Sequence, residues 1–253
     1  MGLCCYPFIM GREINYFFNC QNSFICSRRC RFTGLTAKIL YLCRAFSRNI
    51  GWLTWKEQQQ LRHKRVALAG LGGVGGIHLL TLCRLGIGKF HLADFDVIDL
   101  VNFNRQAGAT VSTLGQDKLD VMIRQGRDIN PEVEIKGFVD GVTTDNLDEF
   151  LDGVDIYVDG LDFFAIQTRQ QVFAACAVKR IPAVTAAPLG RGVALLNFLP
   201  GGMSFYDYFR LDDGSEAEKP LRLLIGLAPA RLQMSYLVDP SRWIYLIVRD
   251  RPP

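Results

Sequence analysis

The 253-residue chain predicts an α/β fold, a doubly wound, mostly parallel Rossmann-like sheet with helices on both faces. Two observations carry that prediction. From residue 48 onward, short apolar runs alternate with segments of helical spacing, and a glycine-rich stretch, AGLGGVGGIHLL at residues 69–80, joins the first such strand to a helix. The hydrophobic fraction of 49% is enough to fill a sizeable core. No apolar run reaches the length of about 18 residues that a membrane-spanning helix needs, so no membrane partner is expected.

Thr54 followed by Glu57 forms a capping box for a helix through WKEQQQLRHK, and RVALAG then reads as a short buried strand. After the glycines, VGGIHLLTLCRLG has apolar residues at helical spacing and stops at Gly86, and KFHLAD is a second strand ending in Asp94. Further on, TLGQDKLDVMIRQGRDIN is helical and ends before Pro131, VEIKGF is a strand, TTDNLDEFLDG a capped short helix and VDIYVDG a buried strand. FFAIQTRQQVFAACAVKR then gives a long helix, and PAVTAA and GVALLNFLP give two more strands. Strands alternating with helices imply parallel pairing through right-handed crossovers.

Gly70, Gly72 and Gly75 fit G-x-G-x-x-G between a strand and a helix. One glycine permits the tight turn, one lets phosphate oxygens approach the backbone, and one lets helix and strand pack closely. Bare N–H groups and a helix N-terminus then face an anion. Asp94, at the tip of the second strand, is placed to accept hydrogen bonds from a ribose. By itself this fingerprint says only that a nucleotide with a phosphate binds.

Charge and cysteine are unevenly spread. Residues 1–44 carry six of the 29 Lys and Arg and one of the 25 acids, leaving 23 bases and 24 acids for the rest. A body so close to neutral predicts no DNA partner and argues against tRNA, since a basic face is the electrostatic footprint of nucleic-acid binding. Six of the eight cysteines, Cys4, Cys5, Cys20, Cys26, Cys30 and Cys43, lie in the first 43 residues. Cys83 and Cys176 sit in apolar helical stretches and read as buried reduced thiols, which places the protein in the cytoplasm.

Residues 1–44 show no sustained helical or strand period and form an N-terminal extension without an assigned fold. Cys26 and Cys30 lack a second pair at finger spacing, so no zinc site is evident. MGLCC hints at acylation of Gly2, but Tyr6 stands where that motif has Ser or Thr. Residues 45–253 form one domain with its core at 48–200 and an incomplete C-terminal part.

Four later features bear on which nucleotide binds. Asp96 is a second acid after Asp94; NFNRQ brings Asn102 and Arg105; GQDK brings Lys118; DGLD brings Asp162 at the end of a strand. A pyrophosphate bridging two nucleosides needs little cationic help beyond the glycine turn, whereas a triphosphate with Mg²⁺ needs a good deal more. Arg105 can grip phosphate oxygens in a bidentate way, Lys118 adds a point charge, and Asp162 can hold a hard cation bridging phosphates. Each has an ordinary reading too: a surface arginine, a solvated helix face, and a helix N-cap.

RVALAGLGGVGG, LADFD, NFNRQ, GQDK, INP, DGLD and IPAVTAA together closely resemble the ThiF, MoeB and HesA family, relatives of the ubiquitin-activating enzymes. The resemblance implies an ATP-dependent adenylyltransferase. A substrate carboxylate, the C-terminal glycine of a ubiquitin-like or sulfur-carrier protein or a small acid, attacks the α-phosphate to give an acyl adenylate and pyrophosphate. It further implies that Gly70, Gly72, Gly73 and Gly75 form the nucleotide loop and that Asp94 takes the ribose, with Asp96 beside it. Asn102, Arg105 and Lys118 match the family's phosphate contacts, and Asp162 its Mg²⁺ ligand. Arg48 resembles the arginine that reaches across a homodimer to the partner's ATP. A related dehydratase, which adenylates a carboxylate on modified tRNA, belongs to the same class.

The already ionised carboxylate is its own nucleophile, so no general base is needed, and His63, His78 and His91 read as structural. The family's paired C-x-x-C zinc ligands and its acyl-accepting cysteine have no counterpart after Cys176. Two other readings stay open: a nicotinamide-dependent oxidoreductase, from the fingerprint and Asp94, and a non-catalytic partner that keeps the nucleotide fold for dimer assembly.

Overall fold

The computed structural model describes residues 7–10, 13–16, 45–189, 192–211, 215 and 217–228. The chain divides into two units, Met1–Ile39 and Leu40–Pro253. In the first, β1 (Pro7–Met10) pairs antiparallel with β2 (Glu13–Tyr16), a pair the sequence reading did not find. Strands of only four residues are too short to register as a period. Gly2, Tyr6 and all six N-terminal cysteines lie outside the described residues.

The second unit is built on β3 (Arg65–Ala69), β4 (Lys89–Ala93), β5 (Glu134–Phe138), β6 (Ile156–Asp159), β7 (Ala183–Leu189) and β8 (Gly192–Phe198). They form one sheet in the order β5-β4-β3-β6-β7-β8, parallel throughout except for β8, which pairs antiparallel with β7. The chain runs outward from β3 to β5, then returns to the other side of β3. That reversal opens a crevice between β3 and β6 at the carboxyl ends of the strands, where ligands of such sheets bind.

Both faces of β3 are buried, which is why its sequence reads as continuously apolar rather than alternating. Val66 and Leu68 face a core with Leu79, Cys83, Leu119 and Met122, supplied by α2 (Gly75–Leu85) and α3 (Lys118–Ile129). Ala67 and Ala69 face the opposite core with Phe150, Tyr157, Val172 and Phe173, supplied in part by α4 (Leu147–Phe150) and α5 (Ile166–Lys179). In that second core Phe138, Phe150, Tyr157 and Phe173 stack edge to face in succession, with ring centroids 5.3, 6.4 and 5.5 Å apart. Two further helices, α6 (Phe205–Phe209) and α7 (Lys219–Leu227), close the same core through Phe205, Phe209, Leu223 and Leu227.

Several predicted boundaries shift. The helix capped by the Thr54–Glu57 box, α1 (Trp55–Leu61), ends before RHK, because the Leu61 carbonyl is taken by the N–H groups of Lys64 and Gly88. The predicted helix from Thr113 starts only at Lys118: Gly115 takes φ 76°, and its N–H donates to the Ile98 carbonyl, folding residues 113–117 back on the strand exit. TTDN is a turn in which Asn146 Oδ1 accepts from the Thr143 N–H at 2.9 Å, and the helix begins one residue later without a side-chain cap. FFA likewise precedes its helix, which starts at Ile166 with Ala165 as N-cap.

Candidate functional site

The glycine loop leaves β3 at Gly70, whose φ is 82°, in the left-handed region that glycine enters without strain. A Cβ there would collide with the Gly160 carbonyl just beyond β6, and one on Gly75 would strike the Gly70 carbonyl oxygen. The loop is therefore pinched between the two strands at the switch point, with the N-terminus of α2 directly after it. Gly72 and Gly73 are less crowded: a Cβ on Gly72 would meet only Gln106 Nε2, at 3.8 Å, and one on Gly73 only Arg105, with Cγ nearest at 3.3 Å. Among the described residues, the atoms nearest Gly72 and Gly73 thus come from the NFNRQ segment.

Asp94 follows β4 and ties the loop to the neighbouring turn. Its Oδ2 accepts from the Leu71 N–H at 2.6 Å and its Oδ1 from the Asp96 N–H at 2.9 Å. Burial, the largest influence, pushes its carboxyl above the ordinary range, while those two N–H groups and Lys118 pull it down. Asp96 in turn binds Lys118, Nζ to Oδ2, at 2.7 Å. Lys118 is buried and is the first residue of α3, so it is not the solvated helix position its spacing allows. A cation there opposes the helix dipole, so helix stability does not account for its placement.

Asn102 is buried in a 3-10 turn, Leu100–Asn102, where its Oδ1 accepts from the Asp99 N–H at 2.9 Å. It holds the segment from which Arg105 emerges. Arg105 is exposed, its aliphatic stem lies over Gly73, and its Nη1 donates to the Val101 carbonyl at 2.9 Å.

Asp162 requires a correction: β6 ends at Asp159, and Asp162 lies three residues beyond, exposed, in the loop before α5. It is not the N-cap of that helix. Its Oδ1 accepts from the Phe164 N–H at 3.0 Å. The loop is joined to the glycine cradle by the Gly160 N–H, which donates to the Ala69 carbonyl at 2.8 Å.

Arg48 alone stands apart. It is exposed in a 3-10 turn, Ser47–Asn49, and the neighbouring Asn49 donates Nδ2 to the Leu85 carbonyl at 3.1 Å. That is the C-terminal end of α2, about 16 Å of helix from the glycine loop at its other end. Of the histidines, His63 is exposed, His91 is buried with Nδ1 2.8 Å from the Phe150 carbonyl, and His78 is half-buried in the first turn of α2. Cys83 and Cys176 are free and buried, and burial pushes both thiols up to about 12. Among the described residues no group of three or more His, Cys, Asp and Glu side chains is positioned to hold a metal, and no helix is long and apolar enough to cross a membrane.

Four residues not singled out from the sequence complete the site. Gln106 is buried against Gly72 and its side-chain amide has no hydrogen bond among the described residues. Gly160 meets Gly70, and Asp159 and Arg169 form a buried ion pair behind the Asp162 loop. An acid inside an apolar strand and an arginine inside an otherwise apolar helix face were the available signals for that pair.

A glycine cradle at the switch point of a doubly wound sheet, tied through Asp94 and Asp96 to the buried Lys118, defines an α/β protein of the Rossmann-like class. The ThiF family profile matches residues 46–227, and the chain belongs to that family. It is 34% identical over 142 residues to the tRNA threonylcarbamoyladenosine dehydratase of Bacillus subtilis (strain 168), covering 56% of this chain and 55% of that protein. It is 32% identical over 143 residues to the sulfur carrier protein ThiS adenylyltransferase of Escherichia coli (strain K12), covering 56% of each. The solved E. coli tRNA N6-threonylcarbamoyladenosine dehydratase in complex with ATP superposes with a TM-score of 0.56 at 30% identity, over 59% of this chain and 62% of that one. The chain thus spans about half the length of the curated relatives it matches.

Proposed function

We propose that this protein is an ATP-dependent adenylyltransferase that activates a carboxylate as its acyl adenylate, releasing pyrophosphate. The observation that carries the reading is the juxtaposition of the glycine cradle with the buried ammonium of Lys118, hydrogen-bonded into one chain through Leu71, Asp94 and Asp96. Attack by an anionic carboxylate on an anionic phosphate is opposed by repulsion, so the site must neutralise charge and fix the two reactants in line. The N–H groups of residues 72–75, at the α2 N-terminus, receive the phosphates, while those of Gly70 and Leu71 are held by the Ala93 carbonyl and Asp94. Asp94 takes the ribose, and Asn102, Arg105 and Lys118 surround the triphosphate.

Mg²⁺ binds ATP proteins through one or two carboxylates plus phosphate and water oxygens, not a full protein cage. Asp162 fits that requirement: it is exposed, and only its Oδ1 carries a hydrogen bond, to a backbone N–H. The ion would supply charge neutralisation on the phosphates. The near-neutral body and the ThiS adenylyltransferase relative support the C-terminal glycine of a ubiquitin-like or sulfur-carrier protein, or a small acid, as substrate. The dehydratase relatives support a second candidate, a carboxylate borne on modified tRNA, activated by the same step. Buried free thiols at Cys83 and Cys176 agree with a cytoplasmic setting. Adenylation is preferred over nicotinamide chemistry because Arg105, Lys118 and Asp162 have no task in holding a bridging pyrophosphate.

Exchange of labelled pyrophosphate into ATP, driven by the candidate acid, tests the assignment. Arg105→Ala and Asp162→Ala should each lower it by about 10²–10³-fold. Exchange retained in both variants removes their roles, absence of any affinity for MgATP in the folded protein removes the function, and a folded dimer that binds no nucleotide would establish the non-catalytic reading.

A further inference from the structure

Arg169 lies in the first turns of α5, buried, with its charge near the positive end of the helix dipole. Such a placement is unfavourable unless other groups hold the guanidinium. Four contacts do. Nε donates to Asp159 Oδ2 at 2.7 Å, Nη1 to the Phe163 carbonyl at 3.2 Å, and Nη2 to the carbonyls of Leu161 at 2.7 Å and Asp162 at 3.0 Å. One planar fork therefore gathers three consecutive carbonyls, with Asp162 in the middle.

Asp159 is held as fully. Its Oδ2 also accepts from Thr185 Oγ1 on β7 at 2.8 Å, and its Oδ1 accepts from the Leu161 N–H at 3.1 Å and from the Tyr157 hydroxyl at 3.4 Å. With the side chains of both residues nearly saturated and buried, 7% and 1% exposed, neither faces a ligand. The same loop is stitched to the glycine cradle at Gly160. The Arg169 fork and Asp159 Oδ1 thus hold the backbone of residues 161–163 that presents the Asp162 carboxylate, whose Oδ2 has no hydrogen bond among the described residues.

We propose that Arg169, clamped to Asp159, is a positioning residue that fixes the Asp162 loop in register with the glycine cradle, so that the metal borne by ATP meets a preset carboxylate. This rests on the reading of Asp162 as the Mg²⁺ ligand. Arg169→Lys separates the clamp from the charge: a lysine still pairs with Asp159 but cannot span three carbonyls with a planar fork.

The experiment is calorimetric titration of ATP into the full chain, once with saturating Mg²⁺ and once in EDTA, alongside thermal melting. Wild type should bind ATP more tightly with Mg²⁺, and Asp162→Asn should abolish that gain. Arg169→Lys should melt cooperatively and bind ATP in EDTA as wild type does, yet lose about 10–100-fold of the Mg²⁺ gain, as removal of an outer support of a metal ligand does. A full Mg²⁺ gain in Arg169→Lys, beside its loss in Asp162→Asn, overturns the positioning role while leaving the Asp162 assignment intact. A full gain in Asp162→Asn overturns that assignment and the proposal with it. If Arg169→Lys does not fold, Thr185→Val, which removes one donor from Asp159, decides: a reduced gain supports the role and a wild-type gain overturns it.

Discussion

Lys118 and Asp96 form an ion pair of 2.7 Å in which the lysine is 8% exposed and the aspartate 53%. The pair is lopsided: the cation is buried while its counter-ion faces solvent. If a triphosphate binds here as proposed, it can replace an exposed carboxylate far more readily than it can recruit a solvated ammonium from outside. Lys118→Met should accordingly weaken MgATP binding and pyrophosphate exchange by about 10²-fold or more, with a melting temperature close to wild type, since the carboxylate left behind is solvated. Tight ATP binding by the variant would show that Lys118 only packs the loop.

Gly75 tests the close approach of helix and strand. A Cβ there would strike the Gly70 carbonyl, which is backbone and cannot rotate aside. Gly75→Ala should cost about 1–3 kcal/mol or more in urea denaturation, as overpacking does, and should reduce ATP affinity because the loop must shift. Gly115→Ala is the comparison: nothing lies within 4 Å of its Cβ, so only the φ of 76° is penalised and nucleotide affinity should hold.

Arg48 cannot serve the cradle of its own chain, because it sits at the opposite end of α2. If it acts on phosphates, it acts on those of a second copy. Arg48→Ala and Asp162→Ala, each inactive alone, should recover up to about a quarter of wild-type exchange when unfolded and refolded together, since about half of the dimers are then hybrids and each hybrid carries one intact site of its two. No recovery from a mixture that does form hybrid dimers would remove Arg48 from the chemistry.

His91 sets a pH dependence. Burial, the largest influence, holds its imidazole below the ordinary 6.5, although the Phe150 carbonyl opposes the shift. The unfolded chain therefore takes up a proton that the folded chain resists, so stability is full above about pH 6.5 and falls as pH drops below it. His78, also lowered by burial, adds in the same direction. The loss of unfolding free energy between about pH 8 and pH 5.5 should be smaller in His91→Gln than in wild type. An equal loss in both would show that His91 titrates normally in the fold.

Much of the frame was readable in advance because it is written in neighbours. The Thr54–Glu57 box, the Gly86 stop and the glycine turn are each decided within a few residues, where local geometry and hydrogen-bond reach are fixed by the chain itself. The helix start at Lys118 was misread because a distant carbonyl, that of Ile98, captures the Gly115 N–H, whereas those at Leu147 and Ile166 were misread because local Asn146–Thr143 and Asp162–Phe164 turns occupy the residues just before them.

The candidate site divides along the same line. By itself the sequence determined the α/β class and the strand that feeds the glycine turn, since spacing and composition suffice for these. Only the tertiary structure decided that Lys118 is buried against Asp96, that Asp162 hangs beyond its strand on a loop clamped by Arg169, and that Arg48 lies away from its own cradle. The reason is distance along the chain: Lys118 and Asp96 are 22 residues apart, and Thr185 and Asp159 are 26 apart. Contacts of that span exist only after the sheet has closed, and burial, which gives them their strength, belongs to the assembled core rather than to any segment of it.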